Sequence, residues 1–341
     1  MAGGNGGDGI KVSGASVGTK IGGIVGGAGN TILNNAGNGI LLEAGGERAT
    51  LRNRAGGIPP TVIEGNHIGV TLDTFAMGGG IKLGPNGLTG IVSKAIGVKI
   101  GGTGAGAGNS IGANVGPGIQ IEGPAAESNE ILGNFIGAIR NAQGAILAGG
   151  NGSDGIKVSG SSVGTKIGGI VGGAGNTLLN NAGNGILVEA GDESVTRRFR
   201  GGGIPPTVIE GNKVGVELDT FAMGGIKLGP NGLTGIVSKA IGVKIGGTGA
   251  GAGNSIGANV GAGIKVEGPA AESNEILGNF VGAIKNIQGA IVPNLGNGGD
   301  GIGVGGGAGN KIGGNVAAAA NMIVNNAGNG VTVSGSGRYG Q

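Results

Sequence analysis

Two aspartates are the best isolated candidates for catalytic chemistry in this chain. Asp73 and Asp219 occupy equivalent places in two near-identical segments, TLDTFAMGG and ELDTFAMGG. Glycoside hydrolysis requires two carboxylates that face each other across the scissile bond, and Glu64 and Glu210 are the candidate partners. The sequence does not bring these residues together, and a turn-forming Asp explains both positions. We therefore predict no catalytic residue.

Metal and cofactor sites have no support in the sequence. The chain has no Cys and a single His, His67, which Lys213 replaces in a later repeat. Zinc sites need clustered Cys or His residues, and the acidic residues lack the Asp-x-Asp spacing of a calcium loop. Glycine strings such as GGTGAGAG lack the G-x-x-x-x-G-K-[ST] pattern of a phosphate-binding loop. We expect neither a metal nor a cofactor.

Two inserts, GGERATLRNRAGGIPP from Gly45 and GDESVTRRFRGGGIPP from Gly191, carry clustered arginines. Loops that project from a rigid scaffold often carry function. Our hypothesis is that they contact an anionic partner, either a glycan, a lipid surface or a neighbouring subunit; a solvated loop is the alternative. Nucleic acid is not expected, because a broad basic stripe with interleaved aromatic residues is missing. The arginines are Arg48, Arg52, Arg54, Arg197, Arg198 and Arg200.

Composition favours a folded chain, although 92 of the 341 residues are Gly. Disordered chains are poor in β-branched residues and carry a large net charge, whereas this chain is rich in Ile and Val and has a net charge of +3. Gly does not recur at every third residue, which excludes collagen. The apolar runs are too short and too often broken by Gly to span a membrane.

Internal repeats organise the chain. GDGIKVSG at Gly7 returns as SDGIKVSG at Ser153 and as GDGIGVGG at Gly299. We predict a single domain, residues 1–341, with long repeats at 1–146 and 147–292 and a partial repeat at 293–341.

Each repeat contains a finer period of strand-like segments. Runs such as GIKVSG and GIQIEG alternate like strands with one buried face, and two further short strands, typified by TKIGG and NTILNN, follow them. Helix is disfavoured because an interior Gly costs about 1 kcal/mol relative to Ala. The pattern predicts an all-β parallel β-solenoid of nine coils and a partial tenth, with three short strands per coil. The predicted coil markers are Ile10, Ile40, Ile81, Ile119, Ile156, Ile186, Ile226, Ile264, Ile302 and Val331.

The recurring NNAGNG stretches are interpreted as corners of this solenoid. Equivalent Asn side chains stacked on successive coils can hydrogen-bond along the axis as a ladder, and Gly supplies the positive φ that the bends need. A structural corner is the simplest interpretation of NNAGNGI, in preference to a binding site.

GAGNTILNNAGNGI, TVIEGNHIGV and KIGGTGAGAGNSIG resemble repeats of right-handed parallel β-helix proteins of the pectin-lyase-like superfamily. The resemblance covers nearly the whole chain. It implies a right-handed helix, in line with the general bias of parallel crossovers. It implies little about function, because enzymes, adhesins and phage proteins share such repeats.

Charged residues recur along the predicted rod instead of clustering. Because Ile10 and Val12 are expected to point inward, Lys11 and Ser13 should point outward. An active site is a single constellation, whereas a repeated column is typical of a solvated face; weak multivalent binding of an acidic polysaccharide is the alternative. The predicted columns are Lys11, Leu41, Lys82, Gln120, Lys157, Leu187, Lys227 and Lys265; Glu43, Glu122, Glu189 and Glu267; and Lys20, Lys99, Lys166, Lys244 and Lys311.

The sequence shows no capping element at either end of the predicted solenoid, which such folds usually need. The end strands, with Ile10 and Val12 at one end and Val331 and Val333 at the other, can therefore pair head to tail with other copies. We expect a noncatalytic, self-associating scaffold, either an extracellular fibre or part of a longer array. A polysaccharide-binding or polysaccharide-cleaving β-helix, and an engineered repeat protein, are the alternatives. Any secretion signal would lie outside this sequence.

Overall fold

The structure, a computed structural model, consists of short β-strands wound into successive coils. It describes residues 4–14, 18–45, 59–73, 80–141, 145–192, 201–203, 205–219, 225–285 and 290–335. Within these ranges the only helical segment is a 3-10 turn, Ala317–Ala319. The all-β class predicted from the sequence is confirmed.

The strands are short, two to five residues each. The first four coils contain β1 (Ile10–Val12), β2 (Lys20–Gly22), β3 (Thr31–Ile32), β4 (Ile40–Leu42), β5 (Val62–Glu64), β6 (His67–Ile68), β7 (Val70–Asp73), β8 (Gly80–Leu83), β9 (Ile91–Ser93), β10 (Lys99–Gly101), β11 (Ser110–Ile111), β12 (Ile119–Glu122), β13 (Glu130–Leu132), β14 (Phe135–Ile136), β15 (Ala138–Arg140) and β16 (Ile146–Ala148). The remaining coils contain β17 (Ile156–Ser159), β18 (Lys166–Gly168), β19 (Thr177–Leu178), β20 (Ile186–Val188), β21 (Val208–Glu210), β22 (Lys213–Val214), β23 (Val216–Asp219), β24 (Gly225–Leu228), β25 (Ile236–Ser238), β26 (Lys244–Gly246), β27 (Ser255–Ile256), β28 (Ile264–Gly268), β29 (Glu275–Leu277), β30 (Phe280–Val281), β31 (Ile284–Lys285), β32 (Ile291–Val292), β33 (Ile302–Gly306), β34 (Lys311–Ile312), β35 (Met322–Ile323) and β36 (Val331–Ser334).

Three parallel sheets run along the stack. Sheet A has ten strands, β1-β4-β9-β12-β17-β20-β25-β28-β33-β36, and sheets B and C have nine each, β2-β5-β10-β13-β18-β21-β26-β29-β34 and β3-β6-β11-β14-β19-β22-β27-β30-β35. Each coil contributes one strand to A, then B, then C. The predicted nine coils and a tenth strand, three strands per coil, are confirmed; the right-handed sense remains a prediction.

The core lies inside the coils and is lined by two residue columns from sheet A and one each from sheets B and C. In sheet A, Ile10 pairs in register with Ile40, Ile40 with Ile91, and Ile91 with Ile119. Ile40, Ile91 and Ile119 are fully buried. Branched side chains suit this position because like residues stack at the strand spacing of about 4.8 Å. The inward orientation predicted for Ile40 and Ile119 is therefore confirmed.

The coil markers predicted at Ile81 and Ile226 are wrong. Ile81 lies in β8, which pairs antiparallel with β7, and Ile226 lies in the equivalent hairpin of β23 and β24. Ile91 and Ile236 hold the corresponding positions of sheet A. The local alternation of GIKLG is that of any half-buried strand, so it does not distinguish a hairpin strand from a coil strand.

Hairpins and glycine loops alternate along the rod. The hairpins β7–β8, β15–β16, β23–β24 and β31–β32 follow sheet C on the even coils, whereas the odd coils carry longer glycine-rich loops between sheets B and C. Between two such loops lies Gly65, with a φ of 68°, where a Cβ would meet the Gly23 carbonyl oxygen at 2.3 Å and the Gly106 carbonyl oxygen at 3.1 Å. Only Gly fits this close approach.

Because hairpins mark the even coils and longer glycine-rich loops mark the odd coils, the structural unit is a pair of coils.

Candidate functional site

A ladder of asparagines follows the corner between sheets B and C, and we call it the BC ladder. The side-chain Nδ2 of each member donates to Oδ1 of the member on the next coil at 2.9–3.0 Å. The backbone N–H of each donates to the same oxygen at 3.0–3.1 Å. Its members are Asn30, Asn66, Asn109, Asn134, Asn176, Asn212, Asn254, Asn279 and Asn321.

Interior members of the BC ladder have all their polar atoms paired. Asn134 is 1% exposed, and its Nδ2 donates to Asn176 Oδ1 at 3.0 Å and to the Ile100 carbonyl at 2.9 Å. Its Oδ1 accepts from the backbone N–H and Nδ2 of Asn109, at 3.0 and 2.9 Å. A buried amide is tolerated in an apolar core only when it is satisfied in this way.

A second ladder, the CA ladder, follows the corner between sheet C and the next strand of sheet A. The side-chain amides again donate toward the C-terminal end, at 2.7–3.0 Å. The corner interpretation of the NNAGNG stretches agrees with this geometry. Members of the CA ladder are Asn5, Asn35, Asn86, Asn114, Asn151, Asn181, Asn231, Asn259, Asn297 and Asn326.

Both ladders are directional, so their two ends differ chemically. Within the described part of the chain, no ladder residue donates to Oδ1 of Asn5 or Asn30 at the N-terminal end. At the C-terminal end, Asn321 and Asn326 have no further ladder oxygen to which they could donate; their Nδ2 atoms bond to carbonyls, including Ile276 at 2.8 Å and Val324 at 3.1 Å. One end of the stack presents amide acceptors, and the other presents amide and backbone donors.

Eight lysines beside sheet A and on sheet B pair with a glutamate on the neighbouring coil. In each pair listed below, a Lys on an odd coil contacts a Glu on the following even coil, with Nζ–Oε distances of 2.8–3.6 Å. Lys265, on the same strand, and then Lys239 lower the pKa of the Glu267 carboxyl by hydrogen bonding and charge. The pairs are Lys11–Glu43, Lys94–Glu122, Lys157–Glu189 and Lys239–Glu267 beside sheet A, and Lys20–Glu64, Lys99–Glu130, Lys166–Glu210 and Lys244–Glu275 on sheet B.

These ion pairs change the charge pattern expected from the sequence. Lys82 and Lys227 lie in hairpins, and Val92 and Val237 take their places in the sheet A column. Exposed pairs of this kind contribute little stability. Their main effect is to cancel charge along the rod, which leaves no continuous basic stripe on the described surfaces of sheets A and B.

The candidate catalytic carboxylates lie on different elements of the coils. Asp73 and Asp219 end the first strands of two hairpins that are four coils apart, opposite Gly80 and Gly225 respectively. This corresponds to roughly 19 Å of stacked strands. Glu64 and Glu210, their proposed partners, lie on sheet B and pair with Lys20 and Lys166. Each Asp thus lies in a hairpin, whereas its proposed Glu partner lies on sheet B in an ion pair with a lysine.

His67 and its counterpart Lys213 lie on sheet C beside the hairpins. His67 Nδ1 lies 3.0 Å from Thr71 Oγ1, and burial lowers the pKa of the imidazole. In the later repeat, Lys213 pairs with Glu217, a carboxylate only 2% exposed. This position on sheet C thus makes the His67–Thr71 contact in one repeat and the Lys213–Glu217 ion pair in the other. Each contact links sheet C to a hairpin.

The strand-end residues differ in where their backbone groups point. Ile10 donates its N–H to the Gly39 carbonyl at 2.9 Å, and the Val12 carbonyl accepts from Glu43 at 2.9 Å, so both face coil 2. The open backbone groups of β1 therefore belong to Lys11. By the same alternation, the backbone N–H and C=O groups of Val331 and Val333 in β36 point away from β33. The side chains of these two residues are 43% and 70% exposed.

The arginine inserts lie outside the described residues, which exclude 46–58 and 193–200. Across the described ranges, no group of three or more His, Cys, Asp or Glu residues could hold a metal ion. No described helix is long and apolar enough to cross a membrane. Comparison of the chain with protein-family models, with curated proteins and with solved structures finds no match.

Proposed function

We propose that this protein is a noncatalytic scaffold whose copies associate end to end, as an extracellular fibre or as part of a longer array. The observation that carries the proposal is the polarity of the ladders, which leaves donors at one end of the stack and acceptors at the other. Such ends are complementary to each other and not to themselves. A heterologous contact of this kind continues into a filament unless it closes on itself.

Two end-to-end registers are possible because sheet A has one strand more than sheets B and C. In the A register, β36 pairs with β1 of a second copy and the CA ladder continues from Asn326 to Asn5. In sheets B and C, the end strands of the two copies are then two strand spacings, about 9.6 Å, apart, with one strand position between them unfilled. In the BC register, β34 and β35 pair with β2 and β3, the BC ladder continues from Asn321 to Asn30, and β36 must detach.

Light scattering across protein concentration, with electron microscopy of the same samples, tests the proposal. We expect the mass to rise with concentration and the particles to lengthen. Val333→Pro removes an N–H that points away from β33 and should reduce association through the A register without unfolding the rod. Thr332→Pro removes an N–H that faces β33, so it should weaken attachment of β36 itself. Hydrogen exchange in β33 distinguishes the two variants, because only Thr332→Pro should increase it.

A strict monomer at all concentrations would refute self-association. Loss of association in a variant that ends before Val331 identifies the A register, whereas stronger association identifies the BC register. Depolymerisation of an acidic glycan that is lost in Asp73→Asn or Asp219→Asn would replace the scaffold with the polysaccharide-cleaving alternative.

A further inference from the structure

Eight asparagines in this chain are followed directly by Gly, the dipeptide most prone to spontaneous cyclisation. In this reaction the Gly backbone nitrogen attacks Cγ of the Asn side chain. It requires a Gly N–H that is free of other bonds and an Asn side chain that can rotate. The eight are Asn5, Asn38, Asn86, Asn151, Asn184, Asn231, Asn297 and Asn329.

Six of these dipeptides are held closed by a neighbouring coil. In each of the six, the Gly N–H donates to a carbonyl one coil away at 2.8–3.0 Å. The Asn38 side chain is also fixed at both ends: its Nδ2 donates to Asp8 at 2.9 Å, and its Oδ1 accepts from Thr89 at 3.1 Å. The six bonds are Gly39–Thr89, Gly87–Asn35, Gly152–Asn114, Gly185–Thr234, Gly232–Asn181 and Gly298–Asn259.

The two dipeptides at the ends of the stack lack this bond. No described carbonyl accepts the backbone N–H of Gly6 or Gly330. The Asn5 side chain keeps one bond, from Nδ2 to Asn35 Oδ1 at 2.8 Å, and its Oδ1 accepts from no described donor. Asn329 is exposed; its Nδ2 donates to Thr332 Oγ1 at 3.1 Å and also interacts with the Asp300 carboxylate, but its Oδ1 accepts from no described donor. A Cβ placed on Gly330 would meet a single atom, 3.9 Å away, whereas one on Gly39 would meet three within 3.1 Å.

We propose that Asn5 and Asn329 are modification sites, at which the chain forms a succinimide without an enzyme. The Gly backbone nitrogen forms a bond to Cγ and loses its proton, the Cγ–Nδ2 bond breaks, and ammonia leaves. Water then opens the ring to aspartate or isoaspartate, with no change of redox state. In the unmodified chain, Asp300 accepts the Asn329 backbone N–H at 2.7 Å. The new carboxylate at position 329 would therefore lie beside the Asp300 carboxylate.

The chain contains matched controls with identical local sequence. NNAGNG surrounds Asn38, Asn184 and Asn329, and GNGGDGI surrounds both Asn5 and Asn297. The intrinsic reactivity within each set is therefore the same, and any difference in the folded protein must come from the structure. Denaturation in urea should remove the difference.

The test is incubation of the full chain, at a concentration where light scattering shows the monomer, in mildly alkaline buffer made with ¹⁸O-labelled water, followed by peptide mass spectrometry at several times. End-to-end association in the A register would cover both dipeptides, so it has to be kept out of this measurement. We expect label at Asn329 and Asn5 at least about tenfold faster than at Asn38, Asn184 and Asn297, because interior positions react only from locally open states. In urea the members of each set should react at equal rates. Equal rates in the folded protein, or faster reaction at an interior position, would overturn the proposal.

Discussion

Replacing one interior asparagine of the BC ladder should destabilise the protein far more than replacing its first member. In Asn134→Ala, the Asn109 backbone N–H and one Asn109 Nδ2 hydrogen lose their acceptor, and the Ile100 carbonyl loses a donor. Each buried polar group left unpaired costs about 1–3 kcal/mol. Three such groups amount to roughly 3–6 kcal/mol if the vacated space admits some water.

Asn30→Ala is the matched control within the same ladder. Asn30 is exposed and donates to Asn66 Oδ1 through Nδ2 at 2.9 Å and through its backbone N–H at 3.0 Å. The substitution removes the first bond and keeps the second, and it leaves no described ladder donor without an acceptor. The cost should be about 1 kcal/mol or less, the net value of one hydrogen bond.

Urea unfolding followed by circular dichroism measures the free-energy differences, and amide hydrogen exchange locates the damage. Exchange is needed because solenoids can unfold in segments instead of in one step. In Asn134→Ala, the Asn109 amide should lose protection first. Similar losses of stability in the two variants, or unchanged protection at Asn109, would show that the ladder does not contribute in the way its geometry implies.

The position of Ile91 in the core and the burial of His67 can each be tested by a substitution. Ile91→Asp should lower the free energy of unfolding by about 3–5 kcal/mol because it buries an unpaired charge. Ile81→Asp, in a hairpin, should cost clearly less, and a larger loss for Ile81→Asp in urea unfolding would show that Ile81 lines the core. Because burial depresses the pKa of His67, the unfolded chain binds its proton more readily, so stability should fall as pH drops from about 7 to 5. Comparison with His67→Gln isolates this effect, and parallel pH profiles would contradict it.

Coil number and corner chemistry could be predicted from the sequence because both depend on short-range spacing. An Asn lies five residues before the inward residue of sheet A in Asn35–Ile40, Asn86–Ile91 and Asn114–Ile119. The residue five before Ile81 is Ala76. The spacing between ladder Asn and Ile is therefore the signal that would have rejected Ile81, and the alternation of GIKLG alone could not supply it.

The ion pairs could not be predicted because they depend on which coils become neighbours. Lys94 and Glu122 are in contact only because β9 and β12 stack in register, with Ser93 beside Ile121. If Ile81 is the coil marker, Lys82 stands in the place of Val92 and Gly84 stands in the place of Lys94. The two wrong markers, Ile81 and Ile226, thus leave Lys94 and Lys239 out of the columns, and with them the alternation of odd lysines and even glutamates beside sheet A.

The odd–even alternation also distinguishes the two registers of the proposed end-to-end contact. In the BC register, coil 9 meets coil 1 of a second copy, so two odd coils become neighbours and Lys311 of β34 lies beside Lys20 of β2. Like charges on adjacent strands are destabilising. In the A register, β36 begins an even coil and is followed by the odd strand β1, which keeps the alternation in sheet A. Charge and coil order therefore favour the A register, in which the CA ladder carries the contact from one copy to the next.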